Sequence, residues 1–102
     1  MPSTIILTYP ANQGGYLAPS NYSVQNNITN AQNYSATHST QDTYYWFYNQ
    51  VKAGGPMDYK AGGHPEYQGL GNWNYGVVGA ALGIPCSVLQ KMVWNGHFGE
   101  TL

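Results

Sequence analysis

Glycine and proline interrupt this chain so often that they decide which segments can become regular structure at all. Thirteen glycines and six prolines fall among 102 residues, and they cluster. Gly14, Gly15 and Pro19 keep the stretch from Ala11 to Asn21 in loop. Gly54-Gly55-Pro56 stops whatever precedes it, because glycine adopts the left-handed turn that closes a helix and proline does not continue one. Gly62-Gly63-His64-Pro65 breaks the chain again, Gly83 and Pro85 bracket a fourth break, and Asn95-Gly96 makes a fifth.

Between these breaks, apolar spacing selects helices. Ser23 caps a first one, in which Val24, Ile28 and Ala31 recur at helical intervals and Gln32 or Tyr34 extends the face. Ser35 to Gln41 reads as a polar connection. Thr40 or Asp42 caps a second helix running to about Lys52, with Tyr45, Phe47, Tyr48 and Val51 apolar and Trp46 flanking them. Met57 to Trp73 reads as loop, with a short extended piece at Glu66 to Gln68. From Asn74 or Tyr75 to Leu82 the residues are small. In a helix Gly76, Gly79 or Ala80, and Gly83 would form a smooth face for a close neighbour. That approach must offset about 1 kcal/mol per internal glycine. Pro85 opens a last helix, Cys86 to about Trp94, with Val88, Leu89, Met92 and Val93 apolar. Thr4 to Thr8 is β-branched and reads as a short N-terminal strand or extended arm. The prediction is a mainly α fold: one small domain of three to four helices with long ordered loops. An N-terminal arm covers residues 1–22 and the helical domain residues 23–102.

Charge is the second constraint. Only 7% of residues are charged, against about 25% in an ordinary soluble domain. Arginine is absent and the net charge is −1, so the chain lacks the cationic footprint that nucleic-acid phosphates require. Ten tyrosines and many Asn, Gln, Ser and Thr give a neutral, hydrogen-bonding, aromatic exterior. Such a surface suits an uncharged polymer, a partner chain or self-association. The single Cys86 excludes an internal disulfide framework and reads as a buried structural thiol. The apolar piece Ile5-Ile6-Leu7 is too short for a signal peptide, and no stretch is long enough to span a membrane. The expected route out of a cell is a non-Sec route or lysis.

Four of the seven charged side chains fall between Lys52 and Glu66. Lys52, Asp58, Tyr59 and Lys60 combine a carboxylate, two ammonium groups that would keep it ionised, and a phenol donor. The competing reading makes Asp58 the cap of the Gly-Pro turn and Lys52 the cation at its own helix C-terminus. His64 and Glu66 form a candidate acid/base pair, and Asp58 with Glu66 would supply the two carboxyls of a glycosidase. The competing reading is a solvated His-Pro-Glu turn. Asn72, Trp73, Asn74 and Tyr75 alternate amides and rings. Extended, they would set Asn72 and Asn74 on one face for hydroxyls or base edges, and Trp73 and Tyr75 on the other for sugars or bases. The plainer reading puts Trp73 in the core. His38, His64 and His97 have no metal-ligand spacing, so no metal or cofactor is expected.

Two of these segments also carry a family likeness. WFYNQVKAGGPMDYK followed by YQGLGNWNYGVVGAALGIP resembles the type 44 polymorphic toxin domain of bacteria, over about residues 24–94. Met57 stands where the family has an aromatic residue before Asp-Tyr-Lys, and the Gly62-Gly63-His64-Pro65 loop is particular to this chain. Family members continue into an acidic segment and a further helix beyond the position of Leu102. The resemblance implies a hydrolase in bacterial antagonism or lysis, with an immunity protein as partner. Joined to the neutral surface, it gives a toxin- or lysin-like hydrolase acting on cell-wall glycan. Asp58 would be base or nucleophile, with Lys52 and Lys60 as electrostatic partners and His64 or Glu66 the second acid/base group. Tyr59, Asn72, Trp73, Asn74 and Tyr75 would bind substrate. A ribonuclease using the same lysines and His64 is the first alternative. A non-catalytic, self-assembling or virion subunit is the second.

Overall fold

A computed structural model describes residues 14–96, with side chains to Met92. Thr4–Thr8 and His97 lie outside the described residues. Within them the fold is mainly helical, with no strand. Helix α1 spans Val24–Thr37, α2 Thr40–Val51, α3 Gln68–Ala81 and α4 Cys86–Gly96, and a 3-10 turn at Pro65–Tyr67 leads into α3. No helix among the described residues is long and apolar enough to cross a membrane.

The first two helices form by side-chain capping. Ser23 accepts the Asn26 N–H at 3.1 Å, as its sequence position predicts. The second cap is Ser39, which accepts the Asp42 N–H at 3.1 Å, in place of Thr40 or Asp42. The connection is correspondingly shorter than Ser35–Gln41: only His38 and Ser39 leave the helical register. Side chains close the end of α1, where the Tyr34 carbonyl accepts from His38 Nδ1 at 2.8 Å. On α2 the buried stripe is Thr43, Phe47 and Val51, at intervals of four, while Tyr45 points out and is 69% exposed.

The largest departure is α3, which begins at Gln68 where loop was expected. Pro65, pre-set for the first helical turn, starts the 3-10 segment that feeds it. Gly69 and Gly71 oppose helix, yet Leu70, Asn74 and Val78 at intervals of four are all buried. Tertiary burial thus overrides local propensity. Gly69 has a packing reason too: a Cβ there would come within 3.0 Å of the Tyr16 ring. Of the predicted smooth face, Gly79 alone meets a neighbour, with a Cβ falling 2.6 Å from Leu89 of α4. Gly76 faces open space, and Gly83, at φ +77°, lies past the helix end as its stop. Cys86 is exposed at the start of α4, not buried. The α4 residues that reach the core are Leu89, with Val88 and Met92 partly covered.

Two apolar clusters result. The larger joins Ala31, Phe47, Val51, Met57, Tyr75, Val78, Ile84 and Leu89. The smaller joins Ala18, Tyr22, Val24 and Leu70. Fully buried Asn74 bridges them. Its Oδ1 accepts from the Tyr22 hydroxyl at 2.8 Å and from Asn27 Nδ2 at 2.9 Å, and its Nδ2 donates to Met57 Sδ at 3.4 Å.

Candidate functional site

The segment from Lys52 to His64 is loop, but a tied one. Its own backbone bonds hold it: Gly55 N–H to Lys52 O at 2.8 Å, Met57 N–H to Gln50 O at 2.7 Å, and His64 N–H to Lys60 O at 3.1 Å. Gly54, at φ +82°, makes the reversal after α2 that a side chain would resist. The polar hub anchors the same loop from beneath. Met57 receives the Asn74 amide, and the Tyr59 hydroxyl accepts from Asn27 Nδ2 at 2.7 Å. Tyr59 also meets Tyr22 edge-on, ring centroids 5.1 Å apart.

Between this loop and α3 lies a cleft of about 30 Å³, lined from the loop by Asp58, Tyr59 and Lys60 and from the helix side by Tyr67, Gln68, Asn72 and Tyr75. That is room for about one or two waters or a single hydroxyl-sized group.

Asp58 is the carboxylate of the wall, its side chain 8% exposed. Oδ2 accepts the Gly54 N–H at 2.9 Å, and Oδ1 accepts from Lys60 Nζ at 3.3 Å. The turn-capping geometry anticipated for this aspartate is therefore present, and the carboxylate still borders the cleft. Lys52 is elsewhere. It is exposed at the C-cap of α2, beside the helix's negative end, and does not line the cleft.

His64 and Glu66 pair with each other. His64 Nδ1–H donates to Glu66 Oε2 at 3.1 Å, and in the neutral ring Nε2 is then the acceptor. That hydrogen bond, first, holds the exposed Glu66 carboxyl below its usual range. Glu66 is not among the cleft-lining residues, so Asp58 and Glu66 do not share one pocket. The pair is joined to the cleft through Tyr67, on which the imidazole stacks at 5.4 Å.

Residues 72–75 are helical, so the expected alternation of faces is replaced by a helical distribution. Asn72 borders the cleft, Asn74 is the buried hub, and Trp73 packs on the smaller cluster beside Tyr16, 6.1 Å between centroids. Tyr75 stacks on Phe47 at 5.4 Å, and its hydroxyl donates to the Leu89 carbonyl. Burial raises the pKa of Tyr22, Tyr59 and Tyr75 above the ordinary phenol value; the Tyr59 charge adds to the effect on Tyr22, and the Asn27 bond partly offsets it on Tyr59. No group of three metal-ligating side chains occurs among the described residues.

Four contributors escaped sequence reasoning: Tyr22, Asn27, Tyr67 and Gln68. Asn27 carried a readable signal, an amide beside Ile28 on the apolar stripe of α1. Tyr22 sits just before the cap of α1, where an apolar side chain often folds back on the helix. Tyr67 and Gln68 carried none while their segment read as loop. Scans of the chain against family models, curated proteins and solved structures return no match.

Proposed function

We propose that this chain is a hydrolase domain of the kind bacterial toxins and lysins carry, acting at the loop–α3 cleft on the glycan of the cell wall. The observation that carries this reading is the oriented Asp58–Lys60 pair in the wall of a cleft whose remaining polar lining is phenols and amides, beside Val51, Met57 and Gly71. The two aromatic-glycine blocks that resemble the type 44 toxin domain supply the two walls. Phenols and amides stack on and hydrogen-bond to sugars, and the chain's scarcity of cations favours an uncharged polymer. In this scheme Asp58 acts as base or nucleophile, with Lys60 holding its charge. His64, with Nδ1 tied to Glu66, exchanges protons through Nε2. Delivery would be by secretion or lysis, with an immunity protein guarding the producer.

A ribonuclease is the second reading, and the His64–Glu66 pair favours it, since a carboxylate-oriented imidazole is a ready general base. Purified sacculi and a structureless RNA, each offered to wild type, Asp58→Asn and His64→Ala, separate the two. Release of muropeptides by wild type and not by Asp58→Asn supports the glycan reading. RNA cleavage lost in His64→Ala, with sacculi untouched, replaces it. A large ordered assembly that cuts neither polymer would instead identify a structural subunit.

A further inference from the structure

The turn between α1 and α2 carries a column of aromatic rings that the cleft does not use. Tyr34 and His38 lie face to face, with centroids 3.6 Å apart and planes within 4° of parallel. Trp46 of α2 stacks on Tyr34 at 4.9 Å and 15°. A ring accommodates one such parallel neighbour per face, so Tyr34 lies between the other two. Trp46 is half-buried against the larger core cluster, and His38 is exposed. The column therefore starts at the core and ends in solvent on a flat imidazole face. That imidazole is held in place: Nδ1–H donates to the Tyr34 carbonyl at 2.8 Å, and Thr37 Oγ1 lies 3.0 Å from the same nitrogen.

Asp42 extends the patch and Tyr45 borders it, because Asp42 stands four positions before Trp46 and three before Tyr45, between the two on the surface of α2. Both are exposed. The nearest charge along this part of the chain is the Asp42 carboxylate, with no Lys or Arg between residues 14 and 51. A phosphate backbone is disfavoured on such a surface. The apolar C–H face of a pyranose fits a flat ring, and its hydroxyls find acceptors in the carboxylate and in His38 Nε2.

We infer that the Trp46–Tyr34–His38 column, with Asp42 and Tyr45, is a stacking subsite for an uncharged pyranose unit of a glycan. The inference deepens the glycan reading of the cleft and rests on it for the choice of occupant. Such a subsite would hold a long strand while the cleft engages one group of it.

Binding of chitohexaose and of purified sacculi to full-length Asp58→Asn protein tests this, with cellohexaose and poly-uridylate as comparison ligands. Adding His38→Ala or Tyr45→Ala is expected to weaken glycan binding by about tenfold, with thermal unfolding unchanged for exposed Tyr45 and slightly lowered for His38, which closes the end of α1. His38→Phe, which restores a flat ring without the Nε2 acceptor, is expected to recover part of the binding lost in His38→Ala. Cellohexaose binding equal to chitohexaose means the ring face alone is read, whereas weaker binding adds the acetamido group; both outcomes support the subsite. Glycan affinity unaltered in both alanine variants, or poly-uridylate bound as tightly as glycan, overturns it. Failure of the cleft reading looks different: sacculi are bound by wild type and lost with His38→Ala, yet never cut.

Discussion

Replacing Asn74 with alanine tests whether a single amide holds the two halves of the core together. Truncation removes the acceptor of both Tyr22 and Asn27 and the donor to Met57. The consequences differ for the partners. Asn27 keeps the Tyr59 oxygen as an acceptor, whereas the Tyr22 hydroxyl, in a residue only 7% exposed, is stranded. A stranded buried donor costs about 1–3 kcal/mol and each lost bond about 1 kcal/mol, so Asn74→Ala should lose about 3–4 kcal/mol. Tyr22→Phe removes the donor while Asn74 still accepts from Asn27, and should cost about 1 kcal/mol. In the double variant no hydroxyl remains to strand. Its loss should stay near about 3 kcal/mol, below the sum of about 4.5 kcal/mol, a coupling of about 1.5 kcal/mol. Urea unfolding of the four proteins, followed by far-UV circular dichroism, measures each term from midpoint and slope. Losses that add to within about 0.5 kcal/mol would refute the bridging role.

The α3–α4 contact makes opposite predictions for two glycines of one helix. Gly76→Ala meets open space and should gain up to about 1 kcal/mol, while Gly79→Ala forces Leu89 aside and should give that gain back or lose up to about 2 kcal/mol; thermal melts of both variants decide the order. Glu66, held low by His64, should titrate below the ordinary glutamate range by carbon-detected NMR, and His64→Ala should move its midpoint upward. Tyr22, Tyr59 and Tyr75 have raised folded-state pKa values, so their neutral forms stabilise the fold fully below the ordinary phenol pKa of about 10 and progressively less as pH rises above it. In an ultraviolet alkaline titration these three should ionise last, together with unfolding. Early ionisation of all ten tyrosines in one step would contradict that burial.

The helices that sequence revealed were those whose signals are local. Ser23 before a Val24–Ile28–Ala31 stripe, and Gly54-Gly55-Pro56 after Val51, specify a start and a stop with no reference to the rest of the molecule. The first half of α3 was illegible because its reasons are distant. Gly69 is tolerated where Tyr16 approaches, and Leu70 is covered by residues from 18 to 24. Misplacing that boundary also misplaced Asn74, which periodicity two would expose and periodicity 3.6 buries. For the site, Asp58, Lys60 and Tyr59 were legible as a charge and phenol cluster, and they do border one cleft. Glu66 was read as pairing with His64 and as sharing a site with Asp58; the 3-10 turn at Pro65 makes the first contact and leaves the carboxyl outside the cleft that Asp58 lines.

The capping and the proposed catalytic roles of Asp58 are compatible in the loop's geometry. Asp58 lies between Met57 and Tyr59, and each of those is fastened to the hub, one by the Asn74 amide and the other by Asn27. A glycine- and proline-broken loop can therefore hold a carboxylate at one place without a strand or helix beneath it. The Gly54 N–H then fixes the carboxylate's rotation, leaving Oδ1 toward Lys60. Capping is thus the means of orientation, and orientation is what a base or nucleophile requires. The two roles separate in substitution. Asn at position 58 keeps an oxygen for Gly54 but no charge, so under the proposed function it should abolish cleavage while costing less than about 1 kcal/mol of stability. Alanine removes both, and should lose cleavage and about 1–2 kcal/mol together. Equal stability loss in both variants would assign the contact with Lys60, rather than the cap, as what holds the loop.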